Sequence, residues 1–163
     1  MNRFENGVLT VLCSSYKSEG ESDRVGEMMA YQWKLVPGRG EDILDPSWQQ
    51  IEDALAEMNG DIYEVTLELV DEGTLFIEGG DQGRYLVVYF PATHPDVPSC
   101  VLTDLSLSGS LVPLTVQTPT EYEAKYAVLF PLVVKVVSDF FHAGSLPRDV
   151  RWELDNTHQP KNG

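Results

Sequence analysis

The stretch from Asp45 to Phe90, DPSWQQIEDALAEMNGDIYEVTLELVDEGTLFIEGGDQGRYLVVYF, decides the fold. Its first part has a helical period. Trp48, Ile51, Leu55 and Met58 fall at i, i+3, i+7 and i+10, one stripe of a 3.6-residue repeat, and Glu52, Asp53 and Glu57 lie off that stripe. Asp45 is placed to cap the N-terminus with Pro46 in the first helical position, and Asn59-Gly60 supplies a left-handed stop. The period then switches to two. Tyr63, Val65, Leu67 and Leu69 alternate with Glu64, Thr66 and Glu68, the pattern of a strand with one buried and one wet face. Asp71-Glu72-Gly73 turns the chain into a second strand carrying Leu75 and Ile77. Gly79-Gly80-Asp81-Gln82-Gly83 turns it again into a third, where Tyr85, Val87 and Tyr89 alternate.

Upstream, Val8 to Cys13 has the look of a strand, followed by a polar loop over Ser14 to Gly26. Met29, Tyr31, Trp33 and Leu35 then alternate as its expected hairpin partner. Downstream, PATHPDVPS carries three prolines and is no central strand. Strand character resumes at Cys100 to Leu107, with a phase slip at Thr103-Asp104 that predicts a bulge. Pro113 demotes the Leu111 to Val116 strand towards an edge, and Gln117 to Ala124 reads as a loop. A second helix begins near Pro131, with Val133, Val136, Val137, Phe140 and Phe141 as its apolar face and Ala143-Gly144 as its end. Val150, Trp152 and Leu154 alternate in a last strand. The expected fold is α+β: a mixed, mainly antiparallel sheet of about seven strands with two helices packed on one face. Residues 1–155 are expected to form a single domain, with 1–44 as an N-terminal hairpin of unassigned role and 156–163 as a flexible tail.

Charge narrows the partners. The net charge over 163 residues is −15, with a pI near 4.3. Between Arg39 and Arg84 there is no Lys or Arg, yet that interval holds thirteen of the chain's 26 acids. Such a field repels nucleic acid and anionic membrane and attracts basic partners. No run of eighteen apolar residues is present and no signal-peptide core is evident, so a cytoplasmic protein is expected.

Catalytic patterns are sparse. His94, His142 and His158 lack metal-ligand spacing. Cys13 and Cys100 sit in apolar runs that favour packing. Gly38-Arg39-Gly40 lacks the rest of a phosphate loop, and no serine stands in a G-x-S-x-G elbow. Glu64 and Glu68 on one strand lie about 13 Å apart, too far for a glycosidase pair. Glu78 and Asp81 flank a turn, and the residues after them fail the calcium-loop pattern. No catalytic residue, metal or cofactor is expected.

Three blocks carry a family resemblance: PSWQQIEDALAEMNG at 46–60, IEGGDQGRYLVVYF at 77–90, and TPTEYEAKYAVLFPLVVKVVSDFFHAGSLPRDVRWEL at 118–154. Together they resemble the immunity-protein family of bacterial polymorphic toxin systems, the group often encoded beside nucleic-acid deaminase and nuclease toxins. Of the family's Gly-Gly-Gln before the tyrosine loop only Gln117 matches, and residues 1–44 lie outside the resemblance. It implies a non-catalytic protein that binds and neutralises a cognate toxin, as a monomer or in a 1:1 complex, with an acidic surface against a basic nucleic-acid-binding cleft. The toxin-binding candidates are Glu64, Glu68, Glu72, Glu78, Asp81, Tyr85, Tyr122 and Glu123, with Tyr85 equally well placed for the core. The rival readings are an adaptor for another basic protein and a small hydrolase using paired carboxylates.

Overall fold

A computed structural model describes residues 31–92 and 97–155. The strand expected at 8–13, its loop, Cys13, His94, His158 and the C-terminal tail lie outside them. The described elements run β1 (Trp33–Val36), β2 (Ile43–Leu44), α1 (Trp48–Ala56), β3 (Glu64–Leu69), β4 (Gly73–Gly79), β5 (Arg84–Pro91), β6 (Cys100–Thr103), β7 (Val112–Val116), β8 (Thr118–Tyr122), β9 (Val128–Leu129), α2 (Phe130–Ala143) and β10 (Arg151–Leu154). Eight strands form one sheet in the order β10-β6-β5-β4-β3-β1-β2, with β9 added against β5, and every pairing is antiparallel. β7 and β8 form a separate hairpin. The fold is α+β, as the periodicities predict.

The alternation in the quoted stretch sets which face goes inward. Leu35, Val65, Leu67, Leu69, Leu75, Ile77, Tyr85, Val87 and Tyr89 point to one side and join one buried cluster. Onto that side pack both helices, α1 through Ile51, Ala54 and Leu55, and α2 through Val133, Val136, Val137 and Phe140. Phe140 is the hub, with its ring edge-on to Trp33 at 5.2 Å and to Tyr89 at 5.8 Å. Pro131 lies in the first turn of α2, and Gly144 at φ 71° ends it.

Four local expectations are corrected. Ser47, not Asp45, caps α1: its hydroxyl accepts from the Gln50 N–H while the Gln50 side chain accepts from the Ser47 N–H. Pro46 accordingly lies ahead of the helix. Asp45, at φ 48°, instead accepts from the backbone N–H groups of Gln32 and Trp33 at 2.9 and 3.0 Å, anchoring the start of β1. There is no bulge at Thr103-Asp104; β6 stops at Thr103, and the Asp104 carboxylate accepts from the Ser106 N–H to make a turn. Residues 118–122 are a strand rather than a loop, reversed from β7 through Gln117 at φ 84°.

The β4–β5 turn is set against the end of α1. Gly80 has φ 100°, and a Cβ there would lie 2.8 Å from the backbone carbon of Met58. Glycine is thus required for conformation and for space. Gly80→Ala is expected to cost about 1–3 kcal/mol of stability, seen as a lower urea midpoint; an unchanged midpoint would show that this turn does not need the close approach.

Candidate functional site

The second face of the sheet carries the even-numbered residues of β3, β4 and β5, and the registers line them up in rows. Glu64 faces Glu78, which faces Leu86; Thr66 faces Phe76, then Val88; Lys34 faces Glu68, which faces Thr74, then Phe90. The β7–β8 hairpin covers part of this face, burying Leu86, Val88 and Val101 under Leu114 and Tyr122. Its placement depends on Asp81. The Asp81 carboxylate accepts from the Thr115 hydroxyl at 2.6 Å and the Thr115 N–H at 3.2 Å, and it also lies against Gly60.

Beside the covered part is a groove of about 440 Å³, lined by Glu64, Thr74, Phe76, Glu78, Phe90, Pro91 and Ala92. The Phe76 and Phe90 rings meet edge to face at 5.0 Å. Glu64, Phe76, Glu78 and Phe90 are all half-buried, so the groove has an aromatic floor beside two carboxylates, of which the Glu78 Oε2 is out of contact with solvent. Glu64 and Glu78 are directly opposed across an antiparallel pair.

Of the residues singled out by sequence, Glu64, Glu68 and Glu78 share this face. Glu68 stands opposite Lys34, whose amine is 3.2 Å from Asp42. Glu72 is exposed in the β3–β4 turn, where its carbonyl accepts from the Ala92 N–H and the Tyr89 hydroxyl. Asp81 is the hairpin clamp. Tyr85 is buried on the helix side, its ring 5.5 Å from Phe130. Tyr122, the last residue of β8, is buried between the hairpin and the sheet, where burial and then the charges of Glu78 and Asp155 push its hydroxyl pKa up. Glu123 is exposed, 3.5 Å from Lys125.

The acid-rich interval does not form one surface. Glu52, Asp53 and Glu57 lie off the buried stripe of α1, in the helical layer, whereas Glu64, Glu68 and Glu78 are across the sheet from it. Sequence reasoning missed Phe76, Phe90 and Thr74. Their phase was legible, because they alternate with the core residues of β4 and β5, but their convergence required the register.

A second polar cluster lies on the same face at β10. Buried Glu153 accepts from the Thr103 hydroxyl at 3.2 Å and lies 3.4 Å from both Lys125 and Arg151. Burial alone would raise its pKa. The hydrogen bond from Tyr126, the Lys125 charge and the bonds from Thr103 and Arg151 outweigh that and hold it below the usual 4.5. Below that value the unfolded chain takes up a proton that the folded chain refuses, so this contribution is present above pH 4.5 and is lost as pH falls through the depressed folded pKa. The stability of Glu153→Gln is therefore expected to fall less steeply than wild type between about pH 5 and about pH 3, followed by urea unfolding. Parallel curves would remove Glu153 from the acid response.

Among the described residues no group of His, Cys, Asp and Glu is arranged to hold a metal ion, and no helix is long and apolar enough to cross a membrane. A family model described as immunity protein Imm1 matches residues 39–154, from just after β1 through β10. No curated protein and no solved structure matches the chain.

Proposed function

The chain belongs to the Imm1 immunity-protein family, and from that premise we propose that it neutralises a cognate toxin of a bacterial polymorphic system by binding it in the cytoplasm, 1:1, without catalysis. The family match over residues 39–154 carries this reading. The toxin is a basic, nucleic-acid-targeting enzyme, and the contact surface is the sheet face opposite the helices. The net charge of −15 and the carboxylates of Glu64, Glu68 and Glu78 support that choice. A phosphate-binding cleft is cationic, and an acidic face both speeds encounter with it and competes for its positive charges. Glu72 and Glu123 lie exposed and add to the field. Asp81, Tyr85 and Tyr122 act behind the surface, by holding the hairpin and filling the two cores.

Two facing carboxylates over an apolar floor are also what a glycoside hydrolase uses. The immunity-family match favours binding over that chemistry.

The test is co-purification with the toxin domain encoded beside the gene, together with protection of cells expressing that toxin. Both are expected. Reversing Glu64, Glu68 and Glu78 to Lys should slow association by about tenfold or more at low salt, with the difference shrinking as salt is raised. Stopped-flow measurement showing an unchanged rate would move the interface off this face.

A further inference from the structure

Electrostatic attraction does not by itself select a partner. A chain with a net charge of −15 draws in any basic protein, cognate or not. Discrimination needs a contact that a wrong partner cannot satisfy. Most of the described cations are already committed within the fold. Lys34 lies 3.2 Å from Asp42, Arg84 donates to the Ala127 carbonyl, Lys125 and Arg151 hold Glu153, and Lys135 bridges Asp139 and Asp149. Among the described residues, Arg39 and Arg148 are exposed with neither a hydrogen bond nor an ion pair.

Arg39 is the unusual one of the two. Glu41 and Asp42 stand within three positions of it, yet Asp42 is taken by Lys34. The turn between β1 and β2 fixes where it stands. A Cβ at Gly38 would run into the Ile62 side chain and lie 2.8 Å from the Glu64 carbonyl oxygen, so the turn backbone is seated on the start of β3. Gly40 has φ 89°, a left-handed conformation that other residues rarely adopt. Two glycines, one required for space and one for conformation, thus display an uncommitted guanidinium next to the strand that bears Glu64 and Glu68.

We propose that Arg39 is a specificity contact, received by a carboxylate that the cognate toxin presents beside its basic cleft. This rests on the immunity reading above and adds the discriminating residue to it. A guanidinium offers a planar fork that a carboxylate accepts through two bonds. A uniformly basic surface offers it no acceptor and repels it. The acids then set how fast a basic protein arrives, and Arg39 sets which one stays. Phosphate groups match the same fork, but the charge of the whole chain repels nucleic acid.

The sign of one substitution separates this from general electrostatics. Arg39→Gln makes the protein more negative, so on attraction alone it would bind a basic toxin faster and at least as tightly. The proposal requires the opposite for affinity: a complex weaker by about tenfold to a hundredfold through faster dissociation, with association no slower. Arg148→Gln makes the same charge change in the segment joining α2 to β10, and it should not weaken the complex. Poly-L-lysine, which has no carboxylate side chains, should bind both variants at least as well as wild type. The thermal midpoint of Arg39→Gln should stay within about 2 °C of wild type, since the side chain has no partner to lose.

Toxin affinity of Arg39→Gln equal to or above wild type would overturn the assignment and leave the immunity reading standing. Equal weakening by both variants, or poorer binding of poly-L-lysine by Arg39→Gln, would also overturn it, because neither depends on a carboxylate at this turn. So would a larger fall in the midpoint, which would make Arg39 part of the fold. Duplex DNA that binds wild type and not Arg39→Gln would give the site to phosphate instead. If wild type fails to bind the toxin encoded beside the gene, the immunity reading itself falls, and Arg39 loses its toxin partner with it.

Discussion

A one-residue slip in the pairing of β3 with β4 would exchange the two faces of the sheet. Val65, Leu67 and Leu69 would meet the wrong residues, and the acids would point into the helical layer. The observed register sets Leu67 against Leu75, and Leu75 against Tyr89, which keeps the core residues of three strands in line. The turns hold that register. At one end Asp71 adopts φ 66°, and the Glu72 carbonyl accepts from both Ala92 and Tyr89. At the other, Gly79 and Gly80 let the chain reverse against the end of α1. Both helices, the hairpin and the groove depend on this alignment.

With the register fixed, the molecule divides its work between two faces. One is closed by α1 and α2 over an aromatic cluster centred on Phe140. The other is only partly closed by β7 and β8. Val88, under the hairpin, is fully buried, whereas its neighbour Phe76 is half-buried. Asp81 holds the hairpin by tying the β4–β5 turn to Thr115 of β7. A residue that looked from sequence like surface charge proves to hold the element beside the groove. The acids that remain for a partner on this face are fewer than the linear count implies, but they are mounted on central strands.

How much of this was legible in the sequence follows from the range of each interaction. The helices and the three-strand meander came from short-range periodicity, which is independent of distant partners. The strand at Thr118 to Tyr122 did not, because four of its five residues are exposed and it has no apolar alternation to detect. Asp45 was misassigned because its acceptor role involves Gln32 and Trp33, more than ten positions away, whereas capping is a local pattern. The split of the acidic interval between two layers was hidden for a related reason. Charge density along the chain carries no information on which layer each element joins. Glu64 and Glu78 were both chosen from sequence, yet only the strand register shows that they face one another, and the Phe76–Phe90 contact depends on it too.

The position of these carboxylates bears on how an immunity protein could gain affinity for a partner at this face. Association carries a cost for every side chain and loop that must be ordered at the interface. Loops present contacts that must be frozen on binding. β3 and β4 are flanked on both sides within an eight-stranded sheet, so their backbone is already fixed, and a half-buried glutamate there has less freedom to lose than one on a loop.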